Sequence, residues 1–373
     1  MNKITPAEAF SPGEYLRDEL EARGWTQTEF AEIIGRPARL VSELIAGKRG
    51  ITPDTAADLA AAFGTSAQLW MNLDAAYQLS KLAPRAERIS REASLRERFP
   101  IREMAKRGWI EQTKSLDDLE RSVCKYFRIN SVRDQIQWKH AARRDYGKKD
   151  ISTHQWAWIF RVNQLASALR VVKFELELLR AAIEQLESLM TEPEEIRHVP
   201  KILANCGVRF VVVEPIPGSR IDGVCFWLND ESPVIGLSLK GDYIDKFWFN
   251  LWHEIEHVLQ GDGKGGDIVV DDFEDEVSQR DECERVANEA AANHCVPSKL
   301  MDDFIKRHNP MFSEKSVIGF ARIVKRHPGI VAGQIQKKTD RWDLFKKLQV
   351  RVRDIVTRSA LTDGYGLTGP INL

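Results

Sequence analysis

Apolar residues recur at three- and four-residue spacing along most of the first 200 positions, a spacing typical of amphipathic helices. The pattern changes after Pro200. Short runs of β-branched and aromatic residues, separated by Gly, Pro, Asn and Asp, predict strands at 207–214, 223–228 and 233–239. The stretch Phe247 to Gln260 then returns to helical spacing. We therefore expect a mainly α chain that is α+β overall, with a small antiparallel sheet in its C-terminal part.

The same changes of pattern predict three segments, and 373 residues are enough for several separate cores. They are an all-α domain at 1–82, a helical connector at 83–199, and an α+β domain at 200–373 that ends in a helix. Within the connector, the periodic stretch Leu165 to Met190 predicts one long amphipathic helix. The final residues, DGYGLTGPINL, are rich in Gly and predict a poorly ordered tail.

The N-terminal domain contains two short helices joined by a tight turn. Thr26 and Glu29 predict a capping box at the start of the first helix, and Gly35-Arg36-Pro37 ends it. The second helix, Ala38 to Ala46, buries one apolar side made of Val41, Leu44 and Ile45. Such a pair fits the major groove of DNA. The domain is net acidic, however, and attraction to phosphates supplies most affinity for DNA, so a protein-binding module is the alternative.

From about Ser11 to Lys81 the sequence resembles the helix-turn-helix of the XRE superfamily, specifically the HigA-type antitoxins. The resemblance rests on TQTEFAEIIGRPARLVSELIAGKRG and on the ending AFGTSAQLWMNL. It implies a DNA operator as partner, contacted through phosphates or base edges by Gln27, Arg36, Arg39, Ser42, Lys48 and Arg49. We expect a homodimer, because two half-sites multiply weak contacts. A cognate toxin is a further candidate partner.

The stretch FWFNLWHEIEHVLQ carries the H-E-x-x-H pattern. His253 and His257 lie one turn apart on a helix, so both imidazoles project from one face, as two ligands of a single metal do. Glu254 is rotated off that line, where its carboxylate can act as a general base. We therefore expect a metal centre on this helix, with Glu254 as the catalytic residue.

The next predicted helix, DECERVANEAAANHCVP, offers a third ligand. Glu284 and Asn288 lie one turn apart on one face, so Glu284 can complete the metal site while Asn288 accepts the second N–H of a ligating His. Rival carboxylates are Glu282, Glu289 and the acidic run at 271–276. Two His and one carboxylate suit Zn²⁺, and they also accept other divalent ions such as Mn²⁺.

Residues Ile202 to Asp343 resemble the ImmA/IrrE family of bacterial zinc metallopeptidases. The landmarks are FWFNLWHEIEH, ERVAN followed by VP, and RHPGIVAGQIQ. The resemblance implies a zincin-like domain that cuts a repressor or antitoxin-like protein, with Zn²⁺ held by His253, His257 and Glu284 and with Glu254 as base. Two positions depart from the family pattern. Glu256 stands where Gly is usual, and Ala290 stands where Phe is usual.

Two functions from different classes are therefore predicted. The first is a transcription-regulatory zinc endopeptidase that carries a DNA-binding helix-turn-helix. The second is a HigA-like antitoxin or transcriptional repressor whose metal domain is a sensor or scaffold without turnover.

Charge and cysteine content indicate which kinds of site the chain can contain, and the absence of long apolar runs indicates its compartment. The net charge of −1 conceals a basic segment at 81–150 and an acidic one at 241–300, and acidic surroundings suit a cation. Five Cys without a C-x-x-C pair favour neither a disulfide framework nor a thiolate zinc cluster. With no secretory leader and no apolar run of membrane-spanning length in the sequence, we expect a cytoplasmic protein without membrane association.

Overall fold

A computed structural model of the chain describes residues 10–138, 151–271 and 282–367. The chain divides into two compact units, Met1–Ser94 and Leu95–Leu373. The first unit is all-α and the second combines helices with one small sheet, which confirms the predicted fold class. The predicted connector at 83–199 is shared between the two units, which divide at Ser94.

The N-terminal unit contains the two predicted short helices within a helical bundle. Its elements are α1 (Pro12–Arg23), α2 (Gln27–Ile33), α3 (Ala38–Ile45), α4 (Pro53–Phe63) and α5 (Ala67–Arg98), the last of which continues into the second unit. The Thr26 hydroxyl accepts a hydrogen bond from the backbone N–H of Glu29 at 3.2 Å, and the Glu29 carboxylate accepts one from the N–H of Thr26 at 2.8 Å. This is the predicted capping box that starts α2.

Aromatic stacking and one close helix contact hold this unit together. Phe30 and Phe63 are buried and stacked, with ring centroids 4.9 Å apart. Trp70 is fully buried and donates its indole N–H to the Thr65 hydroxyl at 2.8 Å. A Cβ at Gly13 would lie 2.4 Å from the carbonyl oxygen of Leu44, so only glycine lets α1 approach α3 this closely.

The second unit places helices around a sheet. Its helices are α6 (Ile101–Lys106), α7 (Leu116–Phe127), α8 (Thr153–Ala168), α9 (Leu176–Ser188), α10 (Val199–Asn205), α11 (Ile244–Gln260), α12 (Glu282–Cys295), α13 (Ser298–His308), α14 (Glu314–Ile323), α15 (Pro328–Thr339) and α16 (Arg353–Ser359). Its strands are β1 (Arg209–Val213), β2 (Gly223–Trp227), β3 (Pro233–Leu237), β4 (Ile268–Asp271) and β5 (Leu361–Asp363).

The sheet is mixed, so the predicted antiparallel arrangement was wrong in this respect. The strand order is β4-β2-β3-β1-β5. β2 is antiparallel to β3 and β4, whereas β1 is parallel to β3 and β5. The reason is that the chain passes from β1 across the sheet to β2 and then returns through a short hairpin, which inserts β3 between them. β3 therefore runs in the same direction as β1.

Both faces of the sheet are covered by apolar cores. Along β1, Phe210 and Val212 face the core that contains α11, whereas Val211 and Val213 face the core that contains α8. The indole N–H of Trp158 on α8 donates to the carbonyl of Val213 at 2.9 Å. A sheet covered on both sides has no polar face, which explains why the strands appear in the sequence as continuous apolar runs.

Two local predictions were wrong. The stretch Leu165 to Met190 is not one helix, because α8 ends at Ala168 and the chain has no regular secondary structure until α9 begins at Leu176. In this interval Phe174 packs edge-on against Trp227, with centroids 5.3 Å apart. The tail is ordered as far as residue 367 and contributes Asp363, the last residue of β5, while its last six residues lie outside the described part of the chain.

No helix within the described residues is both long enough and apolar enough to cross a membrane.

Candidate functional site

The H-E-x-x-H helix α11 lies at the centre of the second unit. Its side chains are buried on nearly every side, including Trp248, Trp252 and Ile255. A helix that is buried on most of its surface belongs inside a domain rather than at its surface. α11 packs along α12, and the predicted metal ligands lie between the two helices.

Three predicted ligands converge at this contact. Nε2 of His253 lies 3.0 Å from Nε2 of His257, as expected for residues one helical turn apart. Oε2 of Glu284 on α12 lies 3.3 Å from Nε2 of His253, and Oε1 lies 3.8 Å from Nε2 of His257. Both imidazoles are fully buried, and the Glu284 side chain is 14% exposed.

This donor set fits a tetrahedral zinc ion. With metal–ligand bonds of about 2.0–2.2 Å, neighbouring ligands of a tetrahedral site lie roughly 3.3 Å apart. The three separations between ligand atoms in the structure, 3.0, 3.3 and 3.8 Å, lie around that value. Two imidazoles and one carboxylate leave a fourth position for a substrate or water, which is the arrangement of catalytic rather than structural zinc sites.

The predicted base, Glu254, is fully buried beside the sheet. A Cβ at Gly223, the first residue of β2, would lie 1.8 Å from Oε1 of Glu254. The backbone of β2 therefore approaches the carboxylate as closely as glycine permits. Burial of an ionisable carboxyl group is unfavourable by several kcal/mol unless its environment compensates, so such a group is a candidate for a catalytic role.

Asp262 is a site residue that the sequence analysis missed. Its Oδ2 lies 2.9 Å from Nδ1 of His257, the ring nitrogen opposite the metal-facing Nε2. The loop geometry explains the contact. α11 ends at Gly261 in the left-handed conformation (φ 78°), and the backbone N–H of Asp262 donates to the carbonyl of His257 at 2.9 Å. This reversal brings the Asp262 carboxylate back to the ring, and the G-D-G sequence after the helix was the available signal.

Asn288 does not take the place predicted for it. Its Oδ1 is buried and accepts no hydrogen bond from the described residues, whereas the Asp262 carboxylate contacts the ring of His257, a predicted ligand. The rival ligands Glu282 and Glu289 both pair with Arg285, at 2.6 and 2.7 Å. Asp271 ends β4, and the rest of the acidic run, 272–276, lies outside the described residues.

The two departures from the family pattern are accommodated without a change of ligands. The Glu256 carboxylate accepts a hydrogen bond from the side-chain amide of Gln260, one turn further along α11, at 2.6 Å. Ala290 lies half-buried on α12.

A partly buried ion-pair network supports the contact between α9, α12 and the turn before α15. Glu187 accepts hydrogen bonds from Nδ1 of His294 and from the guanidinium of Arg326, both at 2.8 Å. The His294 ring stacks on Trp252, the residue before the first ligand, with centroids 4.3 Å apart. Burial raises the pKa of Glu187, but these two hydrogen bonds outweigh burial and hold it below the usual value.

In the first unit, all six predicted DNA contacts are exposed: Gln27, Arg36, Arg39, Ser42, Lys48 and Arg49. Several of the cations already have acidic neighbours. Arg36 pairs with Asp58 at 2.8 Å, while Glu43 on α3 pairs with Arg39 at 2.7 Å and Arg49 at 3.8 Å. Part of the positive charge of this surface is thus neutralised within the unit.

Comparison with known proteins assigns both units. A family model described as "Helix-turn-helix" matches residues 16–70, and one described as "IrrE N-terminal-like domain" matches residues 208–317. Virulence-associated protein I of Dichelobacter nodosus is 39% identical over 72 residues, which are 19% of this chain and 67% of that protein. An uncharacterized HTH-type transcriptional regulator of Escherichia coli (strain K12), YddM, is 31% identical over 70 residues, which are 19% of this chain and 74% of that protein.

Solved structures similar to the chain include HigA-family proteins. An addiction module antidote protein of the HigA family from Coxiella burnetii is 32% identical, with a TM-score of 0.21, and the match covers 21% of this chain and 88% of that one. The Pseudomonas aeruginosa antitoxin HigA, solved with the higBA promoter, is 36% identical, with a TM-score of 0.21, over 22% of this chain and 91% of that one.

Fold, site geometry and family matches together define a helix-turn-helix protein with a second domain of metallopeptidase type. The chain belongs to the XRE-type helix-turn-helix family through its N-terminal unit, and its C-terminal unit carries an IrrE N-terminal-like domain. Both resemblances predicted from the sequence are confirmed.

Proposed function

We propose that the chain is a transcription regulator whose second unit is a zinc-dependent endopeptidase, acting on a repressor or antitoxin-like protein. The observation that carries the proposal is the convergence of His253, His257 and Glu284 beside the buried carboxylate of Glu254. The match of residues 208–317 to a peptidase-type family supports the same reaction class.

In this proposal the metal ion and two carboxylates have separate roles in peptide hydrolysis. When bound, Zn²⁺ supplies a Lewis acid that polarises the scissile carbonyl and lowers the pKa of a water molecule. Glu254 takes the proton from the attacking water and passes it to the leaving amine as the peptide bond breaks. Asp262 accepts the Nδ1–H of His257, which fixes the tautomer that leaves Nε2 available as a ligand.

For the first unit we propose DNA binding by α2 and α3, with α3 in the major groove. Its exposed polar side chains and its membership of the helix-turn-helix family support this role. A homodimer would place two copies of α3 on successive half-sites. The acidic partners of Arg36, Arg39 and Arg49 predict weak binding by a single copy, which makes dimerisation more important.

A second candidate function is that of a HigA-like antitoxin or repressor. Its metal domain would then be a sensor or a scaffold and would catalyse no reaction. The first unit is 31% identical over 70 residues to an HTH-type transcriptional regulator, and this similarity favours the second function. The chain would neutralise a cognate toxin or repress an operator by binding alone.

Glu254→Gln separates the two functions, because it leaves the three ligands in place and removes the base. New protein N-termini are mapped by mass spectrometry in cells that express either the wild-type chain or Glu254→Gln. The endopeptidase predicts termini that appear only with the wild-type chain. If both chains give the same termini and the same regulation, the non-catalytic function is favoured.

A further inference from the structure

A cavity of about 420 Å³ lies beside the metal site within the second unit. Cavities of this size bind small ligands or single side chains with their flanking backbone. Phe249 on α11 forms part of its wall, and its ring centroid lies 6.4 Å from that of the ligand His253. Asp222 forms another part and directly precedes Gly223, the residue against Glu254. Two walls of the cavity therefore continue into the catalytic residues.

The distance from the metal site sets which part of a substrate reaches the cavity. An extended peptide advances about 3.3 Å per residue, and the wall residue Phe249 lies against the ligand His253 with ring centroids 6.4 Å apart, so a substrate side chain close to the scissile bond can reach this wall. Such a side chain would enter the cavity while the bond lies at the metal site.

The charge of the cavity is set by lysines at its wall. Lys240, Lys246 and Lys337 line it together with two acids, Asp222 and Asp245. Asp245 packs against α15, where a Cβ at Gly333 would lie 2.2 Å from its Oδ2, and burial raises its pKa. The three lysines outnumber the two acids. The balance of charge is therefore positive.

Lys337 is the cation best placed to meet a ligand. Its Nζ lies 4.3 Å from the centroid of the Phe249 ring, on the wall that leads to His253. Burial lowers its pKa. Within the described residues neither Lys337 nor Lys246 forms an ion pair, whereas the neighbouring Lys338 pairs with Asp302 at 2.8 Å. A partly desolvated ammonium group of this kind gains most from an anionic ligand.

The remaining walls are apolar and include Ile330 and Trp342. A glutamate side chain matches both the apolar and the cationic parts of this lining. Its methylene groups can pack on the aromatic rings while its carboxylate reaches the lysine ammonium groups.

We propose that this cavity is the specificity pocket of the endopeptidase and accepts an acidic side chain, Glu or Asp, of the substrate peptide near the scissile bond. This inference rests on the proposed peptidase function. Because Lys337 and Lys246 would bind the acidic side chain, the substrates are expected to carry Glu or Asp near the cleaved bond.

The test uses the full-length, zinc-loaded protein and a synthetic library of blocked random peptides. Peptides retained by Glu254→Gln are sequenced by mass spectrometry, and the same library is incubated with the wild-type chain to map cleavage. We expect Glu and Asp to be enriched about tenfold over Gln and Asn at one fixed position, a ratio typical of one partly buried ion pair. In the Glu254→Gln background, Lys337→Gln should reduce this enrichment to near unity, and Lys337→Glu should shift it toward Lys and Arg. Lys338→Gln, one residue further along α15 and paired elsewhere, is the matched control and should leave the enrichment unchanged.

The outcomes separate the two proposals. Retained or cleaved peptides without an acidic preference, or a preference that Lys337→Gln and Lys337→Glu both leave unaltered, would overturn the pocket assignment and leave the peptidase standing. Failure of Glu254→Gln to retain any peptide would also overturn it. Acidic enrichment by Glu254→Gln without any cleavage by the wild-type chain would support the pocket and contradict the peptidase. Zinc content and thermal unfolding of each Lys337 variant verify that it folds.

Discussion

His257 and Asp262 face each other across the C-terminal end of α11, with Nδ1 of His257 2.9 Å from Oδ2 of Asp262. The contact depends on the left-handed Gly261 between them, because that residue reverses the chain. It links the geometry of a helix end to the orientation of a predicted metal ligand.

Asp262→Ala should weaken zinc binding by about 10- to 100-fold, the effect typical of losing the carboxylate that orients a ligating His. Asp262→Asn keeps an acceptor oxygen and should have a smaller effect. Zinc affinity is measured by competition with a chelator. Asp267→Ala, in the same loop, is the control. Equal zinc affinities for Asp262→Ala and Asp267→Ala would show that the contact does not orient the ligand.

Gly223→Ala should abolish the proposed peptidase activity without preventing zinc binding. The added methyl group would lie 1.8 Å from Oε1 of Glu254, so the carboxylate or β2 must move. We expect a loss of stability of about 1–3 kcal/mol, the usual range for overpacking. Gly319→Ala on α14 meets no atom within 4 Å and is the control, expected to be neutral or slightly stabilising. Full activity of Gly223→Ala would mean that the position of Glu254 is not critical.

The network of Glu187, His294 and Arg326 should make stability depend on pH. Because the folded-state pKa of Glu187 lies below its ordinary value of 4.5, its contribution is fully present above that pH and is lost as pH falls through the lowered pKa. Glu187→Gln should therefore lower the free energy of unfolding by about 1–3 kcal/mol at neutral pH and by less under acidic conditions. Denaturant unfolding at several pH values measures this. Glu184→Gln, exposed on the same helix, should show no such pH-dependent difference.

Lys48 and Arg49 should contribute to DNA binding mainly through phosphates. Replacing either with Ala should weaken binding to a mixed-sequence duplex and reduce the slope of log affinity against log salt by about 0.9 for each phosphate that the variant no longer neutralises. Glu43→Gln releases Arg39 and Arg49 from their ion pairs and should strengthen binding. Fluorescence anisotropy at several salt concentrations measures the slope, with Arg17→Ala on α1 as control. Unchanged slopes for both cation variants would favour the protein-binding alternative.

Local patterns in the sequence were sufficient to predict features set by one helix. The capping box at Thr26 depends on a three-residue interval, and the approach of His253 to His257 depends on one helical turn. Glu284 could be proposed because a second helix with a carboxylate on one face followed the first. Its 3.3 Å distance to His253, however, depends on how α11 and α12 pack, and the spacing of residues along one helix does not predict that packing.

The features that the sequence analysis missed depend on long-range pairing. Whether β1 is parallel or antiparallel to its neighbour depends on the order of the strands in the sheet, which places β3 beside β1. The other neighbour of β1 is β5, which comes from residues more than a hundred positions after β3. Tyr365 is held by a hydrogen bond from its hydroxyl to the carbonyl of Ser238. Composition alone made that segment look disordered. Asp262 was missed for a related reason, since its role depends on a backbone reversal rather than on helical spacing.

The central claim is that His253, His257 and Glu284 together hold one catalytic metal ion. Zinc content per chain, measured after extensive dialysis, tests it most directly in four proteins: wild type, Glu284→Gln, Glu289→Gln and Glu254→Gln. If these three residues share one ion, about one zinc ion is expected for the wild type, Glu289→Gln and Glu254→Gln, and a large loss for Glu284→Gln only. Absence of zinc or any other divalent metal from the wild type, or full retention by Glu284→Gln, would contradict it.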